Sequence, residues 1–278
     1  GFPPILRISR GAFSALKFIV YMNPGVFLLP FLYVFYKKDK LLIFISILFF
    51  LQIAYSIYSG GDAWEFRGGA NRFISVTVPF FFILLSLAFW RGLRKIIKNL
   101  NAANKNIRLL KAGAYLMLFL LSVTALNTLK SREDLASVLL IKHPFTKDFN
   151  KAQFKTGFLM KKYLEPGASY ATPIAGGAPY ISGLEVIDLL GKNDSFVAKM
   201  SVQPPEGFQK FYSFNPGHNK WDYDYSIGRL KPDAVAALWK DRETAMKYLQ
   251  KHYVKKQIEG FDFYFRKNSD KVKWDKFD

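Results

Sequence analysis

Four long apolar runs dominate the first half of the chain and constrain its fold most strongly. They cover residues 18–36, 41–58, 73–90 and 112–129. At about 1.5 Å per helical residue, a run of about 18 apolar residues is long enough to cross the hydrocarbon core of a bilayer. Because short loops separate the four runs, the pattern predicts a transmembrane helical region at residues 1–129. The alternative, that these are core helices of a large soluble protein, explains four such runs less well.

The distribution of charge predicts the orientation of this region. Residues 1–129 carry 15 basic and 3 acidic side chains, whereas residues 130–278 carry 25 and 18. Cytoplasmic loops hold the excess of Lys and Arg, and the loop at residues 91–111 has seven basic residues and no acid. We therefore expect that loop inside the cell. The loop at residues 59–72 and the tail at residues 130–278 should then face outward from a multi-pass inner-membrane protein.

The formal net charge of +19 would also suit a nucleic-acid-binding protein, but no helix-turn-helix, zinc-finger or RNA-binding signature accompanies it. Membrane topology and attraction to anionic lipids explain the charge, so membrane lipids are expected partners and nucleic acid is not. The absence of Cys excludes disulfides and cysteine metal sites. Three scattered His residues give no ligand spacing. No metal site is predicted, although Asp62 and Glu65 leave a divalent metal conceivable.

The tail, residues 130–278, has the pattern of a small soluble α/β domain. Helical periodicity and strand-like alternation follow one another along it, at residues 149–164 and 242–252 for helices and at residues 168–172, 185–190, 233–239 and 261–266 for strands. The first helix should carry its apolar residues near one side, namely Phe149, Phe154, Phe158, Leu159, Tyr163 and Leu164. The predicted fold class is an α-helical transmembrane bundle of about four spans, followed by a two-layer or three-layer α/β domain.

The outward loop at residues 59–72 is the first candidate site. Its four Gly residues let the backbone turn sharply, and two acids and two arginines lie within eleven residues at the membrane boundary. Asp62 could orient a sugar hydroxyl, and the planar guanidinium of Arg72 could hold a phosphate. The alternative interpretation is an interfacial hairpin whose charges pair with one another.

Two loops of the tail carry further candidates. Residues 216–225, PGHNKWDYDY, combine Gly, Asn, Asp and aromatic residues in the mixture expected of a carbohydrate-contacting loop. His218 and Lys220 could stabilise a phosphate leaving group. Alternatively, His218 and Asp222 could hydrogen-bond the tail to the membrane region. The segment at residues 188–194, DLLGKND, begins and ends with an aspartate. These two acids flank a glycine and are expected to form a turn or cap a helix.

Three blocks of the sequence together resemble a known family. They read GGDAWEFRGGANRFISVTVPF, AGGAPYISGLEVIDLLGKNDSFVAK and PGHNKWDYDYSIGRLKPDAV. In order and topology, over roughly residues 41–240, they resemble the C-terminal half of bacterial integral-membrane glycosyltransferases of the GT-C fold, in the branch of the mycobacterial terminal arabinofuranosyltransferase. The resemblance implies an enzyme that transfers a sugar from a polyprenyl-phosphate donor, with no nucleotide sugar. The acceptor would be a cell-envelope glycan, lipid or protein on the extracytoplasmic side.

Carried over residue by residue, the resemblance implies substrate-binding roles for Asp62, Arg72, His218, Lys220, Asp222 and Tyr225. Lys192 departs from the family pattern, where an apolar residue is common. The family's catalytic aspartate lies in an outward loop near the N-terminus, so we expect the general base upstream, in a longer protein of which this chain is the C-terminal part. The alternative function is a non-catalytic, membrane-anchored module that binds glycan or protein. A transporter is a weaker alternative, because the charged residues lie outside the spans.

Overall fold

The computed structural model describes residues 3–63, 71–99, 107, 109–111, 113–119, 132–133, 136–137, 139–144, 146–202 and 215–277. These residues form two compact units. The first contains residues 3–143 with 215–216, and the second contains residues 144–202 and 217–277. The first unit is helical, and the second combines helices with a five-stranded sheet. The boundary predicted at residues 129–130 lies outside the described residues.

The helices of the first unit are α1 (Pro4–Tyr21), α2 (Pro24–Lys37), α3 (Lys40–Ser59), α4 (Arg72–Ser75) and α5 (Val78–Asn99), and residues 113–119 are also helical. α1 packs along α3, and α2 packs along α5. Their shared core is rich in phenylalanine: Phe27, Phe49 and Phe81 are all buried. The rings of Phe27 and Phe81 stack with centroids 6.0 Å apart. Aromatic burial of this kind holds the unit together.

The first predicted span, residues 18–36, is divided between two helices. α1 and α2 meet at an angle of 93°, and the break falls at Met22 and Asn23. The residue before a proline is disfavoured in helical geometry, and Asn23, which precedes Pro24, has a φ of +68°. Its side chain accepts a hydrogen bond of 3.0 Å from the backbone N–H of Gly25 and so caps α2. The structure therefore has a sharp corner where the sequence predicted one continuous span.

α3 coincides with the second predicted span, residues 41–58. Within the described residues it is the one helix that is long and apolar enough to cross a membrane, and α1 with α2 would add a second if the bent pair counts as one span. The third predicted span, residues 73–90, is divided between α4 and α5. The fourth, residues 112–129, lies mostly outside the described residues. The count of four spans stays a prediction.

The second unit follows a mixed α/β order. Its elements are α6 (Thr146–Tyr163), β1 (Ser169–Thr172), α7 (Gly177–Ser182), β2 (Glu185–Asp188), α8 (Ser195–Lys199), a π-helical turn (Asp224–Arg229), β3 (Ala234–Val235), α9 (Arg242–His252), β4 (Tyr253–Ile258), β5 (Phe261–Arg266) and a 3₁₀ turn (Trp274–Phe277). The strand order is β2-β1-β3-β5-β4. β1 runs parallel to β2 and β3, and β5 runs antiparallel to β3 and β4. β4 was not predicted, and β3 is shorter than the predicted strand at residues 233–239.

Both faces of this sheet are covered, because side chains alternate along each strand. Tyr170 and Phe265 point into the core shared with α6. Ala171 in β1 and Val235 in β3, whose preceding residues Tyr170 and Ala234 belong to the first core, point into the core shared with α9 and the π-helical turn. The unit is therefore a three-layer arrangement, one of the two architectures that the periodicity allowed.

The apolar residues of α6 divide between two sides of the helix, contrary to the prediction of one side. Leu159 and Tyr163 are buried against the sheet, whereas the phenylalanines at positions 149, 154 and 158 are 37%, 46% and 61% exposed. Gly157 on the buried side allows close packing, since a Cβ there would lie 2.7 Å from the carbonyl oxygen of Ala178 in α7.

A buried aspartate ties the strands of the second unit together. Asp233 precedes β3 and accepts hydrogen bonds from the backbone N–H of Ser169 (3.0 Å), the hydroxyl of Ser269 (2.7 Å) and Nη2 of Arg266 (2.5 Å). Burial by itself raises the pKa of Asp233, but these hydrogen bonds outweigh it and lower that pKa below its usual value. The ionised carboxylate therefore stabilises the junction of β1, β3 and β5.

Candidate functional site

The first candidate site begins where α3 ends in two glycines. Gly60 and Gly61 have φ values of +90° and +80°, a backbone region that favours glycine. Their N–H groups donate to the carbonyl oxygens of Ile57 (3.1 Å) and Ser56 (2.8 Å) and so satisfy the end of the helix. This turn directs the next residue, Asp62, into the unit, where it is fully buried.

Asp62 and Arg72 form a two-point ion pair. Asp62 Oδ1 accepts from Arg72 Nη2 at 2.8 Å, and Oδ2 accepts from Nε at 2.9 Å and from the backbone N–H of Arg72 at 2.8 Å. The Arg72 side chain is nevertheless 64% exposed. These two charges thus pair with one another, as the hairpin interpretation of the loop proposed, and the pair holds the guanidinium in one orientation. Glu65, Arg67 and Trp64 of the same loop lie outside the described residues.

Arg10 supports this turn from α1. Its Nη1 donates a 2.5 Å hydrogen bond to the carbonyl oxygen of Gly60, although Arg10 itself is only 5% exposed. The close approach of α1 and α3 makes this hydrogen bond possible. A Cβ on Gly11 would lie 2.2 Å from the carbonyl oxygen of Ile57 in α3, and a Cβ on Gly61 would lie 2.6 Å from Arg10 Nη1. Glycine at both positions is therefore a packing requirement.

Asn71 joins three helices beside the ion pair. Its Nδ2 donates to the hydroxyl of Ser56 in α3 at 2.7 Å and to that of Ser14 in α1 at 3.3 Å. Its Oδ1 accepts from the backbone N–H groups of Phe73 (3.1 Å) and Ile74 (3.3 Å) and caps α4. Arg72 is the first residue of α4, so this cap also helps to orient its backbone.

The second candidate site lies in the second unit, at the carboxyl ends of its parallel strands. The crossover from β1 to β2 passes through α7, which packs against α6, whereas the crossover from β2 to β3 passes through the π-helical turn on the other sheet face. β1 is followed by a crossover to β2 on one side of it, whereas the neighbouring strand β3 is followed by α9 and β4 on the other side, so the connections from these two adjacent strands leave in opposite directions. Ligands of open α/β sheets bind at such a switch point, outside the carboxyl ends of the strands.

Basic and aromatic side chains from three loops meet in this region. Lys192, which follows β2, lies 2.9 Å from Nε2 of His218. The ammonium group of Lys192 donates this hydrogen bond in the tautomer whose Nε2 carries no proton. Trp239, which follows β3, donates from Nε1 to the carbonyl oxygen of His218 at 3.1 Å, with the two rings 5.8 Å apart. Lys220 donates to the carbonyl oxygen of Ala198. The arrangement places two ammonium groups, an imidazole and an indole on one surface.

The remaining predicted residues of this loop have structural contacts. Asp222 Oδ1 accepts from the backbone N–H of Tyr225 at 2.9 Å and so supports the start of the π-helical turn. The ring of Tyr225 stacks on Phe196 with centroids 4.1 Å apart. Burial, together with the nearby carboxylate of Asp194, raises the pKa of the Tyr225 hydroxyl. Tyr225 therefore stays protonated at neutral pH and can both donate and accept hydrogen bonds.

The two acids of residues 188–194 behave as the turn and cap that the sequence predicted. Asp188 accepts from the backbone N–H groups of Leu190 (3.0 Å) and Asn193 (2.8 Å). Asp194 accepts from the backbone N–H groups of Phe196 (2.9 Å) and Val197 (3.0 Å) and so caps α8. Gly191 between them has a φ of +68°. This turn positions Lys192 next to His218.

The structure thus groups the six predicted residues into two sets. Asp62 and Arg72 lie in the first unit, and His218, Lys220, Asp222 and Tyr225 lie in the second. Sequence reasoning did not assign site roles to the neighbours that orient them, namely Arg10, Ser14, Ser56, Asn71, Lys192 and Trp239. Asn71 could have been found from its position before Arg72, and Lys192 was noted only as a departure from the family pattern.

The chain matches no protein family, no curated protein and no solved structure. Within the described residues, no group of three or more His, Asp or Glu side chains is placed to hold a metal ion.

Proposed function

We propose that this chain is the C-terminal part of a membrane glycosyltransferase that transfers a sugar from a polyprenyl-phosphate donor to a cell-envelope acceptor. In this proposal four spans cross the bacterial inner membrane, and the loop at residues 59–72 and the α/β unit face outward. The acceptor is a glycan, a lipid or a protein. The resemblance of the three blocks to GT-C glycosyltransferases supports the proposal.

The observation that carries the proposal is the anchored guanidinium of Arg72. A lipid-linked donor presents its phosphate at the membrane surface, and Asp62 follows α3, which among the described residues is long and apolar enough to span a membrane. Because Asp62 is buried and accepts from Nε and Nη2, the exposed guanidinium is held in place before any ligand arrives. Preorganised cations stabilise the charge that develops on a leaving phosphate.

This arrangement separates the role of Asp62 from that of Arg72. Both oxygens of Asp62 accept hydrogen bonds from Arg72, so Asp62 acts as a positioning residue for the guanidinium in this proposal. Arg72 would contact the donor phosphate. A sugar transfer also needs a base to deprotonate the acceptor hydroxyl. By the resemblance, that base belongs to a segment upstream of this chain.

A second candidate function is a membrane-anchored module that binds glycan or protein without catalysis. The surface of the second unit formed by Lys192, His218, Lys220 and Trp239 favours it, because an aromatic ring beside hydrogen-bonding and cationic groups suits a sugar or an anionic glycan. The same surface would serve the enzyme as an acceptor-binding region.

The test is an assay of the full-length protein in membranes with radiolabelled polyprenyl-phosphate sugars. Arg72→Gln should reduce transfer by about 100-fold, as expected for loss of one preorganised group that stabilises the transition state. Arg72→Lys should rescue it only in part, because an ammonium cannot reproduce the two-point pairing with Asp62. Arg94→Gln, the same change on α5 at the other end of the predicted span, is the matched control and should leave transfer unchanged.

Asp62→Asn should raise the KM for the donor as well as lower kcat, because the guanidinium loses its fixed orientation. A folded full-length protein that neither transfers nor hydrolyses any labelled donor would contradict the enzyme proposal. Retention of glycan or protein capture in that protein, lost on Trp239→Ala, would support the binding module instead.

A further inference from the structure

The outer side of α6 carries two phenylalanines that the core of its unit does not use. α6 covers one sheet face through Leu159 and Met160. Phe154 and Phe158, one helical turn apart, are 46% and 61% exposed. Exposed large aromatic side chains side by side on a helix are a costly surface in water and indicate a contact surface.

Lysines surround these two rings. Phe154 and Phe158 line a groove of about 700 Å³ together with Leu159, Asn150, four lysines and one glutamate. The glutamate, Glu259, pairs with Lys155 at 2.9 Å. The other three lysines, Lys147, Lys151 and Lys162, form no ion pair with a carboxylate among the residues that the structure describes. The groove therefore has a net charge of +3 around an apolar floor.

The spacing places these groups on one face of the helix. Lys147, Lys151, Phe154, Phe158 and Lys162 follow one another at intervals of three or four residues, which bring side chains to the same side of an α-helix. A face with aromatic rings in its middle and lysines around them matches an interfacial helix, whose rings enter the headgroup boundary while the ammonium groups bind lipid phosphates. Lysine is depleted in the cores of protein interfaces, so a protein partner fits this composition less well.

We propose that the α6 face (Lys147, Lys151, Phe154, Phe158 and Lys162) binds the surface of an anionic lipid bilayer and holds the α/β unit against the membrane. The complementary charge of the lysines identifies the occupant as anionic lipid. The apolar helix α3 earlier in the same chain, long enough to cross a bilayer, is consistent with a membrane nearby. The inference requires that the chain lies at a membrane, and it is independent of sugar transfer.

The absence of Cys makes a site-specific test direct. In the full chain, Phe158→Cys receives an environment-sensitive fluorophore, and the protein is placed in nanodiscs of phosphatidylcholine alone or with phosphatidylglycerol. The matched control is Gln250→Cys on α9, which is exposed and lies on the helix covering the other sheet face. In anionic nanodiscs we expect a blue shift and quenching by spin-labelled lipid at position 158, and neither effect at position 250.

Charge reversal tests the role of the lysines. Each lysine near an anionic surface contributes about fivefold to binding, so loss of three positive charges alone should reduce binding by about 100-fold. Lys147→Glu, Lys151→Glu and Lys162→Glu together, which also add negative charge, should reduce the lipid-contacting population by at least that factor. Reversal of three exposed lysines outside the groove, Lys231, Lys240 and Lys251, should leave it unchanged.

Equal quenching at positions 158 and 250, or a blue shift at 158 that does not depend on phosphatidylglycerol or on the groove lysines, would overturn the proposal. The second result would mean that another protein surface, rather than lipid, covers α6. None of these readouts depends on enzymatic activity, so their outcome is independent of the result of the glycosyltransferase assay.

Discussion

Replacement of Gly11 by Ala is expected to separate α1 from α3 and to destabilise the first unit. A Cβ at Gly11 would lie 2.2 Å from the carbonyl oxygen of Ile57 and 2.7 Å from its Cα and carbonyl carbon. Ordinary van der Waals contact begins at 3.4 Å, so the helices must move apart by about 1 Å. The clash is with backbone, which cannot rotate away as a flexible side chain could.

The magnitude follows from three contributions. Alanine in place of glycine inside a helix stabilises by about 1 kcal/mol. Overpacking against backbone costs about 3 kcal/mol. Separation of the helices also weakens the hydrogen bond from Arg10 to the carbonyl oxygen of Gly60, a charge-assisted bond that contributes about 1.5 kcal/mol. The expected net change in the free energy of unfolding is a loss of about 3.5 kcal/mol for Gly11→Ala.

The assay is denaturant or thermal unfolding of the purified protein in detergent, followed by circular dichroism. Gly92→Ala is the matched control, because Gly92 also lies in a helix and nothing is within 4 Å of a Cβ built there. That variant should be as stable as the parent or more stable by up to about 1 kcal/mol. If Gly11→Ala were no less stable than Gly92→Ala, α1 and α3 would not pack as described. That result would also contradict the hydrogen bond by which Arg10 supports the turn at Gly60.

Two further predictions concern the second unit. The pKa of Asp233 is lowered in the folded state, so its contribution is present above the unfolded value near pH 4 and is lost as the pH falls through the folded pKa. Asp233→Asn should therefore destabilise the protein at pH 7 by about 3 kcal/mol, with the partly exposed Arg266 left unpaired, and the difference from the parent should shrink below about pH 4 in unfolding experiments. Gly191→Ala should be more destabilising than Gly167→Ala, because both have positive φ but only at Gly191 would a Cβ lie 2.7 Å from the backbone nitrogen of Ala198. Equal melting temperatures for the two glycine variants would contradict the packing of the turn at residues 188–194.

Local pattern was enough to predict several elements. The apolar run at residues 41–58 became α3, and the alternation at residues 261–266 became β5. The helix at residues 242–252 has the predicted bounds. The acids at the ends of residues 188–194 were predicted to form a turn or cap a helix, and the hydrogen bonds of that turn and that cap join residues no more than five positions apart. Interactions of this range join residues that are close together in the chain, so they can be predicted from the sequence.

Other elements escaped prediction for physical reasons. β4 begins at Tyr253, directly after the last residue of α9, so no Gly, Pro or Asn marks the change. It is an edge strand with Lys255 and Lys256 in its middle, a charged pattern that protects edges but hides the strand from a search for apolar alternation. The corner at Asn23 lies inside an apolar run, where composition alone favoured one continuous span.

The sequence by itself determined α3, α9 and β5, the turn at residues 188–194, and that Asp62 and Arg72, ten residues apart, belong to one site. Only the tertiary structure decided that Arg10 reaches Gly60 across fifty positions, that Lys192 meets His218 across twenty-six, and that the phenylalanines of α6 stay outside the core. The reason is that hydrogen bonding and periodicity act over a few residues, whereas burial depends on which distant surfaces pack together. A phenylalanine has the same helix propensity on either side of a helix. The packing of α6 on the sheet decides which side of the helix is buried in the core.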